Sequence, residues 1–208
     1  MKRQIEVPRS SGIFGVTLIF VISLLSCASH AQSNASTAQD DEIIASVIEY
    51  LFSGRGYTVV DPVTSTKIFE ANRKSGGIRK IEYINKIIQV DGYDLSLLVD
   101  RLYRRNIGQA LLSIQSAPRL GYLVDYDGEF KRYFEPGGGG WDKWRKESPK
   151  ARGMTRVSLP AYDEQKGIVL IYVETQLDWN AGAGYIYAMK MLGRQKVKEL
   201  GRGVVWIY

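Results

Sequence analysis

Residues 168–174 read Ile168-Val169-Leu170-Ile171-Tyr172-Val173-Glu174, and this run decides the fold. Six apolar side chains in succession, four of them β-branched, match a central strand rather than a half-solvated one. Downstream, Tyr185, Tyr187, Met189 and Met191 alternate with Ile186, Ala188, Lys190 and Leu192, which predicts a second strand over 184–192. Val197–Leu200 and Val204–Tyr208 read as two further strands after glycine turns, and Met154–Leu159 as one upstream. The short spacing predicts an antiparallel meander.

The N-terminal half reads differently. Asp40, Asp41 and Glu42 precede Ile43, Ile44, Val47, Ile48 and Leu51, a one-sided spacing that predicts a helix over 41–52. Tyr57–Val60 is a short strand closed by Asp61-Pro62. Ile78, Ile81, Ile84, Ile87 and Ile88 recur at helical spacing, although isoleucines also suit a strand. Asp94 caps a further helix through Leu98 and Leu102 to about Asn106. Residues 108–119 are ambiguous, Tyr122–Tyr126 reads as a strand, and Gly137–Gly140 is a flexible stretch before a helical turn at Trp141–Trp144. Helices first and sheet last is an α+β order: N-terminal helices packed on a C-terminal antiparallel β-meander, in a single domain over 41–208.

Ahead of that domain, Met1–Arg9 is basic, Ile13–Leu25 is apolar and Ser29-His30-Ala31 is small, the order of a secretory leader. About a dozen apolar residues fall short of the roughly 20 that span a bilayer core. Two cuts compete. One before Gln32 removes residues 1–31; the other, at the lipobox-like Leu24-Leu25-Ser26-Cys27, removes 1–26 and leaves Cys27 lipidated. Residues 32–40 then form a polar tether. The expected location is periplasmic or extracellular, with membrane attachment only through a lipidated N-terminus.

Export restricts the chemistry. The chain has one histidine and one cysteine, His30 and Cys27, and both lie in or beside the leader. The mature domain therefore lacks a Ser-His-Asp relay, a histidine-ligated zinc site and a free thiol nucleophile. It has no cysteine pairs to staple it and rests on apolar burial. The leader carries Lys2, Arg3 and Arg9 against Glu6, a net +2, which leaves +4 of the formal +6. Such a charge suits loose attraction to anionic polymers or lipid. Nucleic acid is not an expected partner of an exported chain without a recognised module.

The residues Trp141, Trp144, Pro149, Gly153, Ser158–Tyr162, Ile168–Val173, Gly182-Ala183-Gly184-Tyr185 and Trp206-Ile207-Tyr208 stand in a distinctive order. Over about 141–208 the pattern resembles a family of uncharacterised exported bacterial proteins with a C-terminal α+β module. Many members carry a cysteine pair in the loop before Gly-x-Gly; here that loop is Gln176–Ala181, without cysteine. The resemblance implies an exported single-domain α+β protein and passes on no catalytic residue and no cofactor.

Carboxylate, lysine, tyrosine and arginine chemistry remain. Glu174 and Asp178 stand four apart beside Trp179, a pattern open to glycosidic acid/base work or to plain hydrogen bonding of hydroxyls. Lys143, Arg145, Lys146, Lys150, Arg152 and Arg156 cluster around Trp141 and Trp144. Thr64-Ser65-Thr66-Lys67 places a hydroxyl three residues before a lysine, as Ser/Lys acyl enzymes do, but companion motifs are missing and a loop is expected. Asp125–Glu129 is too short for a calcium loop and reads as a turn, and no metal or cofactor is expected. The favoured expectation is a non-enzymatic envelope module that binds a polymer or protein through Trp141, Trp144, Arg156, Glu174, Asp178, Trp179 and Tyr185. The alternative is a carboxylate-based glycan hydrolase.

Overall fold

The computed structural model describes residues 36–54, 56–69, 76–193 and 196–208, all within one compact unit. The expected leader, Cys27, His30 and the start of the tether lie outside the described residues. In chain order the elements are α1 (Ala38–Phe52), β1 (Tyr57–Val60), α2 (Gly76–Ile87), α3 (Ser96–Arg105), a 3-10 turn (Pro118–Leu120), β2 (Tyr122–Val124), α4 (Glu129–Arg132) and α5 (Gly140–Glu147). The strands β3 (Ala151–Val157), β4 (Ala161–Asp163), β5 (Ile168–Asp178), β6 (Ala181–Gly193) and β7 (Lys196–Ile207) follow.

These strands form one mixed sheet in the order β2-β1-β3-β5-β6-β7, with β4 pairing β5 beyond the end of β3. From β3 to β7 the pairing is antiparallel. At the other end β1 runs parallel to both β2 and β3, so the sheet is not a purely antiparallel meander. Parallel neighbours require a long crossover; α2 and α3 supply it between β1 and β2.

The 168–173 run has a direct physical cause. Val169, Ile171 and Val173 pack on one face with Ile44, Val47 and Ile48 of α1. Ile168, Leu170 and Tyr172 pack on the other with Ile84 of α2 and Val99 and Leu102 of α3. Both faces of β5 are covered, so neither set of alternating positions is polar. The alternation read in β6 also holds: Tyr187 and Met189 join the first cluster, Ile186 and Ala188 the second.

Several element ends differ from the sequence reading by a few residues, and two differences have a clear physical cause. Helix α1 begins at Ala38, inside the expected tether, because Thr37 and Asp40 form a reciprocal capping box. Asp40 is fully buried and pairs with Arg105 of α3 at 2.8 Å, which ties the two helices together. The last two expected strands are one continuous β7. Gly203 is not a turn but a close approach: a Cβ there would sit 2.5 Å from the carbonyl oxygen of Ile87. Ser158 and Leu159, between β3 and β4, are anchored by buried side chains. Leu159 N–H donates to Oδ1 of Asn106 (2.7 Å), and Tyr172 N–H donates to Oγ of Ser158 (2.9 Å).

Candidate functional site: a charged cleft with an aromatic wall

Cross-strand register sets the site. Arg156 of β3 stands opposite Glu174 of β5, and Met154 opposite Gln176. Tyr172, Glu174 and Gln176 therefore share one sheet face with Arg156. On that face the α2–α3 cluster ends at Tyr172, and a separate cluster of Phe130, Trp141, Trp144 and Met154 lies under α4 and α5. The positions between the two clusters are polar.

Glu174 is only 7% exposed, and its oxygens are all occupied. Oε2 accepts from the Tyr172 hydroxyl (2.8 Å) and Oε1 from the Ser65 hydroxyl (3.2 Å). Nη1 of Arg156 lies 3.8 Å from Oε1. Arg156 also donates through Nε to Oδ2 of Asp61 (3.1 Å), and Lys131 reaches Oδ1 of Asp61 (3.4 Å), which also accepts from Val63 N–H (3.0 Å). A buried carboxylate needs such partners, since an unpaired one is costly.

Behind Glu174 the network continues into the sheet. The indole N–H of Trp206 donates to the Tyr172 hydroxyl (2.8 Å), which in turn donates its hydrogen bond to Glu174. Burial first, and the negative charge of Glu174 second, push the Tyr172 phenol far above its ordinary range, so it remains a donor. The absence of a side chain at Gly184 makes this possible. A Cβ there would lie 2.4 Å from Nε1 of Trp206 and 2.6 Å from Oη of Tyr172. The Gly-x-Gly sequence of β6 thus seats the Trp206 ring.

Two adjoining cavities share Lys67, Arg156 and Glu174 in their linings. One, of about 280 Å³, is walled by Trp179, Trp206, Tyr208 and Gln176. The other, of about 340 Å³, is lined by Asp61, Ser65, Gln109 and Lys131. Trp206 and Tyr208 lie against each other at 5.0 Å between ring centres, and the Lys67 ammonium sits 5.3 Å over the Trp206 ring.

The residues expected from sequence divide. Arg156, Glu174 and Trp179 meet at this cleft, and Trp179 is 66% exposed. Trp141 and Trp144 do not: both are buried, edge-on to each other at 5.3 Å and to Phe130, and they form core rather than a stacking surface. Of the cations read beside them, Lys143, Arg145 and Lys146 lie on the exposed side of α5, as the period of an amphipathic helix requires, Lys150 follows it, and Arg152 and Arg156 stand on β3. Asp178 turns to Arg145 (2.9 Å) and accepts from Trp179 N–H, so it is not the partner of Glu174. Tyr185 pairs with Val173 and lies on the opposite face, inclined against Tyr187 (5.8 Å between ring centres) under Arg202.

Sequence reasoning missed Asp61, Ser65, Lys67, Lys131, Tyr172, Gln176, Trp206 and Tyr208 as site residues. The 64–67 segment is a loop as expected, yet it delivers Ser65 and Lys67 to the cleft. Asp125 acts at a turn, its Oδ1 accepting from Phe130 N–H (3.0 Å) at the start of α4. Among the described residues no group of three or more His, Cys, Asp or Glu side chains is placed to hold a metal, and no helix is long and apolar enough to cross a membrane. No protein-family model, curated protein or solved structure matches the chain.

Proposed function

We propose that the protein is an exported, non-enzymatic binding module of the bacterial cell envelope, and that its cleft receives a glycan chain. The observation that carries this reading is the composition of the cleft: a floor of satisfied charges, Arg156 and Glu174, beside a wall of exposed or half-buried rings, Trp179, Trp206 and Tyr208. Aromatic rings offer flat apolar faces to a sugar, and fixed polar groups meet its hydroxyls. In this reading the antiparallel meander, with the N-terminal helices packed on it, is the scaffold that holds the wall against the floor.

A carboxylate hydrolase draws less support. Such an enzyme needs two carboxyl groups free to face the scissile bond. Asp61 and Glu174 are the two at this cleft, and Arg156 bridges them, while Tyr172, Ser65 and Lys131 take the remaining oxygens.

Export rests on the leader-like segment, with residues 1–31 removed or Cys27 lipidated after removal of 1–26. Intact mass of protein recovered from the producing cell distinguishes these forms; an N-terminus at Met1 overturns cleavage of the leader. The binding reading is tested by co-sedimentation with purified peptidoglycan and with extracted exopolysaccharide. Retention by either, lost in Trp179→Ala, supports the cleft. Retention unchanged in that variant refutes the cleft as the site, and no retention on any glycan refutes the reading.

A further inference from the structure

Among the described residues the charges of the cleft do not balance. Asp61 is matched by Arg156 and Lys131, and Glu174 by Arg156 with two hydroxyl donors. Lys67 has no ion-pair partner among the described residues; its ammonium rests over Trp206. It is exposed, and it lies where the two cavities meet. An exposed ammonium held on an indole face, next to carboxylates already paired, is a surplus positive charge placed beside an aromatic wall.

From this we infer that the cleft selects an acidic polysaccharide of the uronic acid type, with a ring carboxylate at Lys67. The inference rests on the glycan reading above and adds the ligand's charge and length. A pyranose lying on the exposed Trp179 or Tyr208 ring brings a carboxylate of that sugar to the ammonium that covers Trp206 in the same cavity. A polyol phosphate chain would meet the cation but would leave the rings without a flat partner. Each cavity is near the lower size limit of about 300 Å³ for small-molecule sites. Together they suit a chain that crosses Lys67, Arg156 and Glu174, with one sugar on either side. The chain's overall positive charge favours approach of a polyanion.

The test is calorimetric titration of the full protein with tetragalacturonate, monomeric galacturonate and the neutral cellotetraose at low and high salt. The expected result is about tenfold tighter binding of the acidic tetramer than of the neutral one at low salt, narrowing as salt screens the pair. The monomer binds more weakly than the tetramer. Lys67→Gln abolishes the acidic preference and Lys67→Arg keeps it; the exposure of Lys67 means that neither disturbs the fold, which thermal unfolding checks. Equal affinity for acidic and neutral tetramers, both lost in Trp179→Ala, overturns this inference and leaves the glycan reading standing. An acidic preference that survives Lys67→Gln overturns the assignment to Lys67. If no oligosaccharide binds, the glycan reading fails and this inference with it.

Discussion

Gly184→Ala is the most informative single substitution. The added methyl carbon would fall 2.4 Å from Nε1 of Trp206 and 2.6 Å from Oη of Tyr172, well inside contact distance. Tyr172 is fully buried under the α2–α3 cluster and cannot retreat, so the indole has to move. Overpacking of this kind costs about 1–3 kcal/mol. Displacing the indole also breaks its hydrogen bond to Tyr172, worth about 1 kcal/mol net. The expected total is about 3 kcal/mol. With a urea slope of about 2 kcal/mol/M, the unfolding midpoint drops by about 1.5 M. Adding Trp206→Ala removes the clash with the indole and leaves only that with the Tyr172 hydroxyl, so the double variant should be more stable than the sum of the singles by about 1 kcal/mol or more. A midpoint shift of less than about 0.2 M for Gly184→Ala, or strict additivity in the double variant, would falsify the account of Gly184 as the seat of the Trp206 ring.

Further outcomes follow from the same contacts. Trp141→Ala opens a cavity in the α4–α5 cluster and should lower stability by about 3–5 kcal/mol, whereas the exposed Trp179→Ala should stay within about 0.5 kcal/mol; urea titration of both separates core from surface. Arg105→Ala strands the buried carboxylate of Asp40 and should cost about 3 kcal/mol, read the same way; a shift below about 1 kcal/mol means that Thr37 alone satisfies it. Tyr172 and Tyr187 both have phenols raised above the ordinary value of 10.0, chiefly by burial. The unfolded chain therefore loses these protons first, so stability should hold up to about pH 10 and fall above it. Stability that rises above pH 10 in urea titrations contradicts burial of these phenols.

Much of the fold was legible because β5 is covered on both faces. Its continuous apolar run, and the strict alternation in β6, are local patterns that survive without tertiary knowledge. The parallel end of the sheet was not legible. Val59 and Val60 signal a strand, but nothing local says that their neighbours are Met154 and Thr155 or that Val124 lies on the other side. Gly203 misled for a related reason: a glycine required for close approach to the end of α2 looks the same in sequence as a glycine required for a turn. The site was half legible. Arg156, Glu174 and Trp179 announce themselves by residue type near a strand end, but Asp61, Ser65 and Lys67 arrive from a loop some hundred positions away. Trp141 and Trp144 misled because a tryptophan flanked by cations reads alike whether it faces solvent or the interior. A helical register that places positions 141 and 144 on one side, with Phe130 as a third ring, is the signal that would have turned them inward.

The sheet has two unequal rims. β2 ends it with three residues, while β7 ends it with twelve, paired with another strand along one side only; the Tyr83 hydroxyl donates to its Val205 carbonyl (3.4 Å). A rim of that length is a template on which a second chain can add itself as a further strand. Exposed Lys196 and Lys198 stud it with like charge, while Arg202 pairs with Glu199 (3.7 Å), so two copies that bring these lysines together repel each other. The guard on this border is electrostatic, so its reach shortens as salt rises, and a polyanion that neutralised the two lysines would leave the border open to a further strand.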